Sequence, residues 1–231
     1  MYRERASRLP GAVVWRNTLS GDADGGRVLP DGCMDLLWHE GRLLVAGPDT
    51  RAHLTAGGPG TWAGIRLRPG TAPALLGVPA HELRDRRVEL ADLWGAAEVR
   101  RLTARVRAAA DPVTGLEDLA LRLAAATDPP DPALRALAAA LGAGRPVGAV
   151  AGDLGIGARQ LHRRSLVAFG YGPKTLARIL RLHRALALAR TGTPPAETAA
   201  RTGYADQSHL SREVRALTGL PLRELLRGDG R

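Results

Sequence analysis

The chain has 231 residues, of which 45% are apolar and only 3% aromatic, so a core must be built mainly from Leu, Ala and Val. Its single cysteine, Cys33, excludes an internal disulfide framework and a multi-cysteine metal cluster within one chain, and no apolar run is long enough for a membrane span. The net charge of +10 is divided unevenly: residues 1–130 carry 17 Arg against 16 acids, whereas residues 131–231 carry 15 Arg and one Lys against 7.

A GC-rich genome explains Arg in place of Lys, but not why acids are scarce only in the second half. That asymmetry suggests a polyanionic partner for one half of the chain. The N-terminal "MYRERASRLPG" has no signal-type apolar stretch, and a cytoplasmic location is expected.

Short apolar runs, "AVVW", "MDLLW", "LLVAG" and "WAGIRL", are separated by Gly, Asp and Pro over residues 11–67 and predict strands. "MDLLWHEGRLLVAG" predicts a hairpin around a His39–Arg42 turn. Residues 71–127 predict helices, with Leu102, Val106 and Ala109 on one face and Leu116, Leu119, Ala120 and Leu123 on another. The prolines of "ATDPPDPA" (126–133) mark a boundary. The expected domains are thus 1–127, β-rich with a helical segment and a candidate effector-binding or dimerisation unit, and 128–231, all helical. The expected class is α+β.

Helix punctuation beyond the boundary is clear. Asp131–Pro132 opens a helix with Leu134, Leu137, Ala138 and Leu141 on one stripe. Pro146 opens a short one, Pro173 a long one to about Arg190, and Thr193–Pro194–Pro195 another.

Three features of the first half compete for a function. Asp31, Cys33, Asp35 and His39 crowd one strand and turn, where Cys33 and His39 are candidates for a nucleophile pair or metal site. A buried cysteine packing as a small hydrophobe is the favoured reading, with a redox-sensing thiol as a further alternative. Trp15, Trp38 and Trp62, with Cys33, are candidate walls of an apolar ligand pocket, weighed against plain core packing. The glycine stretches 21–26 and 57–60 lack the strand–Gly–helix context of a phosphate cradle and are expected to be loops.

The second half contains a repeat. Ala151-GDL-Gly155-IGARQ-Leu161-H-Arg163-RSLVAF-Gly170 aligns with Ala199-ART-Gly203-YADQSH-Leu210-S-Arg212-EVRALT-Gly219, with one extra residue in the second copy. Each copy has a short helix, a Gly suited to a tight turn, and a second helix that buries its Leu, as in a helix-turn-helix. Advancing 100° per residue from Leu210 places Val214 and Leu217 beside it, with Ser208, Ser211, Arg212 and Arg215 opposite and Gln207 at the exposed start. From Leu161 the same rotation exposes Arg159, His162 and Arg163, with Gln160 on a flank. Gln and Arg are the side chains that reach adenine and guanine edges bidentately, while Ser and His serve bases or phosphates. Between the copies, "PKTLARILRLHRALALAR" would form a rod of ~27 Å as a helix. Two readers on one duplex face need a separation of roughly 34 Å. Arg178, Arg181 and Arg184 on this rod are candidate phosphate contacts, or the wet side of a packed helix.

These motifs, "LGIGARQLHRRSLVAFGYGP" (154–173) and "GYADQSHLSREVRALTGLPLREL" (203–225), resemble the AraC family of bacterial transcription regulators over about residues 131–227. The resemblance implies two helix-turn-helix units joined by a long helix. It puts Arg159, Gln160, His162, Arg163, Gln207, Ser208, His209, Ser211 and Arg212 on the DNA side. Ser165 stands where the family usually has an aromatic residue, and Phe169 is expected to fill the core instead. "VLPDGCMDLLWHEGRLLVAGPDT" (28–50) and residues 64–95 resemble a sensor-like region of some such regulators, which implies a barrel-like β fold. Double-stranded DNA is the partner expected. A small-molecule effector, RNA polymerase and a second copy of the chain are compatible with it; no enzyme activity, cofactor or metal is implied.

Overall fold

Alternating apolar and polar residues in the first half build an antiparallel sheet of strands β1 (Tyr2–Ala6), β2 (Ala12–Leu19), β4 (Met34–His39), β5 (Arg42–Ala46), β7 (Gly60–Leu67) and β8 (Arg87–Glu89), in the order β1-β2-β7-β4-β5-β8. Strands β3 (Arg27–Val28) and β6 (His53–Leu54) form a separate two-stranded ribbon. The structure is a computed structural model describing residues 1–19, 25–55 and 58–228; parts of both glycine stretches fall outside that set.

Register sets the two faces of the sheet. Val14, Ile65, Leu36, Val45 and Val88 pair across five strands in a single row, and all are buried. Successive strand residues point to opposite faces, so this row belongs to the core and the alternate row, Trp15–Gly64–Leu37–Leu44, to the other face. The expected hairpin is present: Glu40 and Gly41, both at positive φ, make the two-residue turn between His39 and Arg42.

The sheet is open, with β1 and β8 at its edges, so the barrel-like expectation holds only loosely. The helical expectation for residues 71–127 needs correction. Helices α2 (Ala96–Ala108) and α3 (Pro112–Ala126) form as expected, and Val106, Leu116, Leu119 and Ala120 are buried. Before them, α1 (Ala72–Leu76) is a single turn and strand β8 pairs with β5. Three residues of strand carry too little periodicity to show in sequence; pairing with β5 decides them.

Glu117 of α3 fixes the edge strand. Its carboxylate accepts bonds from Arg5 Nη1 and Nη2 (3.1 and 3.0 Å), Ser7 Oγ (2.8 Å), and the backbone N–H and Nε of Arg8 (2.7 and 3.0 Å). The Arg5 pair, against opposing burial, lowers its pKa from 4.5 to about 2. A lowered pKa stabilises the fold above the unfolded value, and the contribution is lost as pH falls from about 4.5 towards 2. At neutral pH it is on the order of 3 kcal/mol. Glu117→Gln should therefore lower the urea midpoint clearly at pH 7 and much less at pH 3. An equal deficit at both would show that the charge is not what matters.

The second half packs around one rod. Helix α7 (Pro173–Arg190) buries Leu176, Ile179, Leu182, Ala185 and Leu186 completely. Helices α4 (Pro132–Gly142), α5 (Val147–Asp153), α6 (Ala158–Phe169), α8 (Pro195–Thr202), α9 (Gln207–Thr218) and α10 (Leu222–Gly228) surround it. Asp131 caps α4 by accepting from Ala133 N–H at 3.0 Å, and it also pairs with Arg164. Every helix start expected from the prolines is found within a residue of its place. No helix among the described residues is long and apolar enough to cross a membrane.

Candidate nucleic-acid interface

The repeat read from spacing folds as two like units. In each, a short helix (α5, α8) leads through a left-handed glycine, Gly155 at φ 63° or Gly203 at φ 82°, into a second helix of 12 residues (α6, α9). Positive φ is strained for residues with a Cβ, which is why glycine serves at both turns. Leu161 in α6, and Leu210, Val214 and Leu217 in α9, are buried as the rotation argued. Ser165 is also buried, and Phe169 is 1% exposed, so the aromatic has moved one turn along to fill the core.

The residues left outside are those singled out from the sequence. Arg159, Gln160, His162 and Arg163 are exposed on α6, and Gln207, Ser208, Ser211, Arg212 and Arg215 on α9. Among the described residues, Arg159, Arg163, Arg212 and Arg215 have no carboxylate partner. The single acid on these helices, Glu213, is turned inward onto Arg178, by 2.8 and 3.0 Å bonds, and Arg181; the Arg178 bond holds its carboxyl below the usual range. The outer faces thus combine forked donors with no neutralising charge, a surface suited to a polyanion.

His209 is placed differently from the other candidates. It is half-buried, with its ring edge-on to Tyr204 at 5.3 Å and its Nδ1 accepting from Ala205 N–H at 3.2 Å. Asp206 caps α9 by accepting from His209 N–H at 2.6 Å. Counted back from the buried Leu, Asp206 stands where the first copy has Gly157, so α9 has this side-chain cap and α6 begins without one. Asp four residues before the first buried position, Leu210, was the available signal for the cap.

The arginines of the rod have partners within the fold. Arg178 and Arg181 grip Glu213, and Arg181 also lies over the Tyr204 ring at 4.4 Å and donates to the Gly203 carbonyl. Arg184 donates to the carbonyls of Leu141 and Gly142 at the end of α4. They tie α9 and α4 to the rod.

In the first half, Cys33 precedes and His39 ends a six-residue strand, so about 20 Å of extended chain separates them. They do not form a pair. Burial, with Asp31 and Asp35 nearby, pushes the Cys33 thiol up, away from thiolate chemistry. His39 stacks flat on Trp62 at 3.8 Å. Asp35 accepts from Trp15 Nε1 at 2.7 Å; burial pushes its pKa up to about 6, against the opposing pull of Arg66. The tryptophans do not line one pocket, because Trp38 points into the core and Trp15 and Trp62 lie on the other sheet face. Trp38 is one residue out of phase with the other two in register, so pleating alone separates them.

A Helix-turn-helix domain matches residues 150–228, and a Domain of unknown function (DUF6597) matches residues 12–89. No curated protein sequence matches the chain. Solved structures of ToxT from Vibrio cholerae are similar over nearly the whole length. The chain is 12% identical to an apo variant from strain SCE256, covering 96% of this chain and 98% of that one with a TM-score of 0.48. It is 11% identical to the unsaturated fatty acid bound wild-type protein, covering 96% of each at a TM-score of 0.48. The paired units thus form an AraC-type helix-turn-helix domain, the DNA-binding part of a transcription regulator, matched over residues 150–228.

Proposed function

We propose that α6 and α9 read two adjacent major-groove segments on one face of a duplex, with residues 128–231 as the DNA-binding domain and 1–127 as the sensing or dimerising one. The observation that carries this is the matched pair of outer faces: Arg159, Gln160, His162 and Arg163 on one, and Gln207, Ser208, Ser211, Arg212 and Arg215 on the other, with no exposed carboxylate among them. Gln and Arg reach base edges, Ser reaches phosphates, and His209 acts by holding the turn beneath α9. The protein acts where the DNA is, in the cytoplasm.

An effector site in the first half fits the sheet face that carries Trp15, Trp62, Cys33 and Asp35; Trp38, in the core, drops out of it. A second copy and RNA polymerase are the further partners of this reading.

Selection of bound duplexes from a random pool is the test. Two enriched blocks about one helical turn apart are expected, with affinity falling steeply between 50 and 200 mM salt. Binding that is indifferent to salt, or a single enriched block, would refute it.

A further inference from the structure

We propose that the N-terminal half is a brace that sets the geometry between the two reading helices, with Arg27, the Ala52 backbone, His81 and Arg84 as its contact points. This rests on the assignment of α6 and α9 as readers. A helix C-terminus leaves its last carbonyls without intrahelical partners. In both readers, carbonyls at this end are met from the N-terminal half; Leu166, which also accepts the capping bond from Gly170 N–H at 3.1 Å, is one of them. On α6, the carbonyl of Leu166 lies 3.3 Å from His81 Nδ1, and that of Gly170 accepts from Arg84 Nη1 at 3.4 Å. On α9, the carbonyl of Leu217 accepts from Ala52 N–H at 2.7 Å, and that of Thr218 from Arg27 Nη1 at 2.7 Å.

The two feet are different segments. One is the β3–β6 ribbon, in which Arg27 pairs with Leu54 and Ala52 precedes the second strand. The other is the single-turn helix Ala80–Glu82 and the residues after it. A cation at a helix C-terminus also complements the helix dipole. Contact at the α6 foot is tight: a Cβ on Gly170, itself at φ 80°, would lie 2.6 Å from Pro48 and 3.1 Å from the Ala80 carbonyl. Between the feet, His183 on the rod bonds the Pro30 carbonyl at 2.7 Å.

Within the C-terminal half, α4, α5 and α6 pack on α7, as do α8, α9 and α10, so the rod is the shared link between the units. The N-terminal half adds a second connection in parallel with it. Two connections between the same two bodies remove the rocking that one allows. The outer faces stay free, because the brace holds the readers by their ends. Anything that moves either foot, a bound effector included, then changes the spacing of the readers directly.

The full-length double variant Arg27→Ala/Arg84→Ala tests this on duplexes carrying both selected blocks, with the spacer changed by two base pairs. Wild type should lose about tenfold or more in affinity and the variant less than about threefold, while both bind a single block equally. A variant that keeps the wild-type penalty overturns the brace; a wild type indifferent to spacing overturns the twin-reader assignment, and the brace with it. A DNA-free measurement separates the two. Spin labels on Val167→Cys and Ala216→Cys, both exposed, in a Cys33→Ser background should give a narrow inter-label distance distribution that broadens in the double variant. An unchanged distribution would refute the brace whatever the DNA result.

Discussion

Replacing Arg163 and Arg212 together with alanine is expected to weaken operator binding by about 2–6 kcal/mol, the sum of roughly 1–3 for each. They hold equivalent places in the two copies, each two residues after the buried Leu, and both are exposed without a carboxylate partner among the described residues. Neither supports the fold, so the thermal midpoint should stay within a degree or two of wild type. The effects should add, because the residues sit on separate helices and share no partner. Fluorescence anisotropy on the selected duplex, with single and double variants side by side, measures this. An unchanged affinity in either single variant removes that arginine from the reading surface. A loss equal in size on random duplex would assign it to phosphates instead.

Phe169→Ala is expected to cost about 3–5 kcal/mol of stability, the usual range for truncating a buried aromatic side chain. Phe169 is the chain's single phenylalanine and is 1% exposed at the end of α6. Its ring packs with the C-terminal core and also approaches Gly70 of the first half, where an added Cβ would come within 3.1 Å of it. Most of this core is Leu, Ala and Val, whose smaller side chains refill a ring-sized space poorly. Urea unfolding followed by circular dichroism is the measurement. A loss under about 1 kcal/mol would mean that the site refills and that the ring is not an anchor.

Much of the second half was legible because its signals are local. Proline and Asp131 mark helix starts, glycines mark turns, and the spacing of Leu161 and Leu210 from the following Arg and Gly exposes the repeat. These act within a turn or two of chain, so sequence alone assigned α6 and α9 and the exposed faces from Arg159 to Arg215. One departure also had a local cause: His209 turns towards Tyr204 and the Ala205 N–H.

What sequence could not supply depends on partners distant along the chain. Strand β8 exists because β5 offers an edge. Arg178 and Arg181 look like surface cations until Glu213, more than thirty residues away, is folded against them. Trp38 parts from Trp15 and Trp62 only when register is known. Sequence by itself determined the helices, the twin helix-turn-helix units and the basic half, since hydrophobic spacing and backbone chemistry decide those. Tertiary structure alone decided which arginines are free, and how Arg27 and Arg84 reach carbonyls up to 191 positions away, because only packing brings such groups within bonding distance.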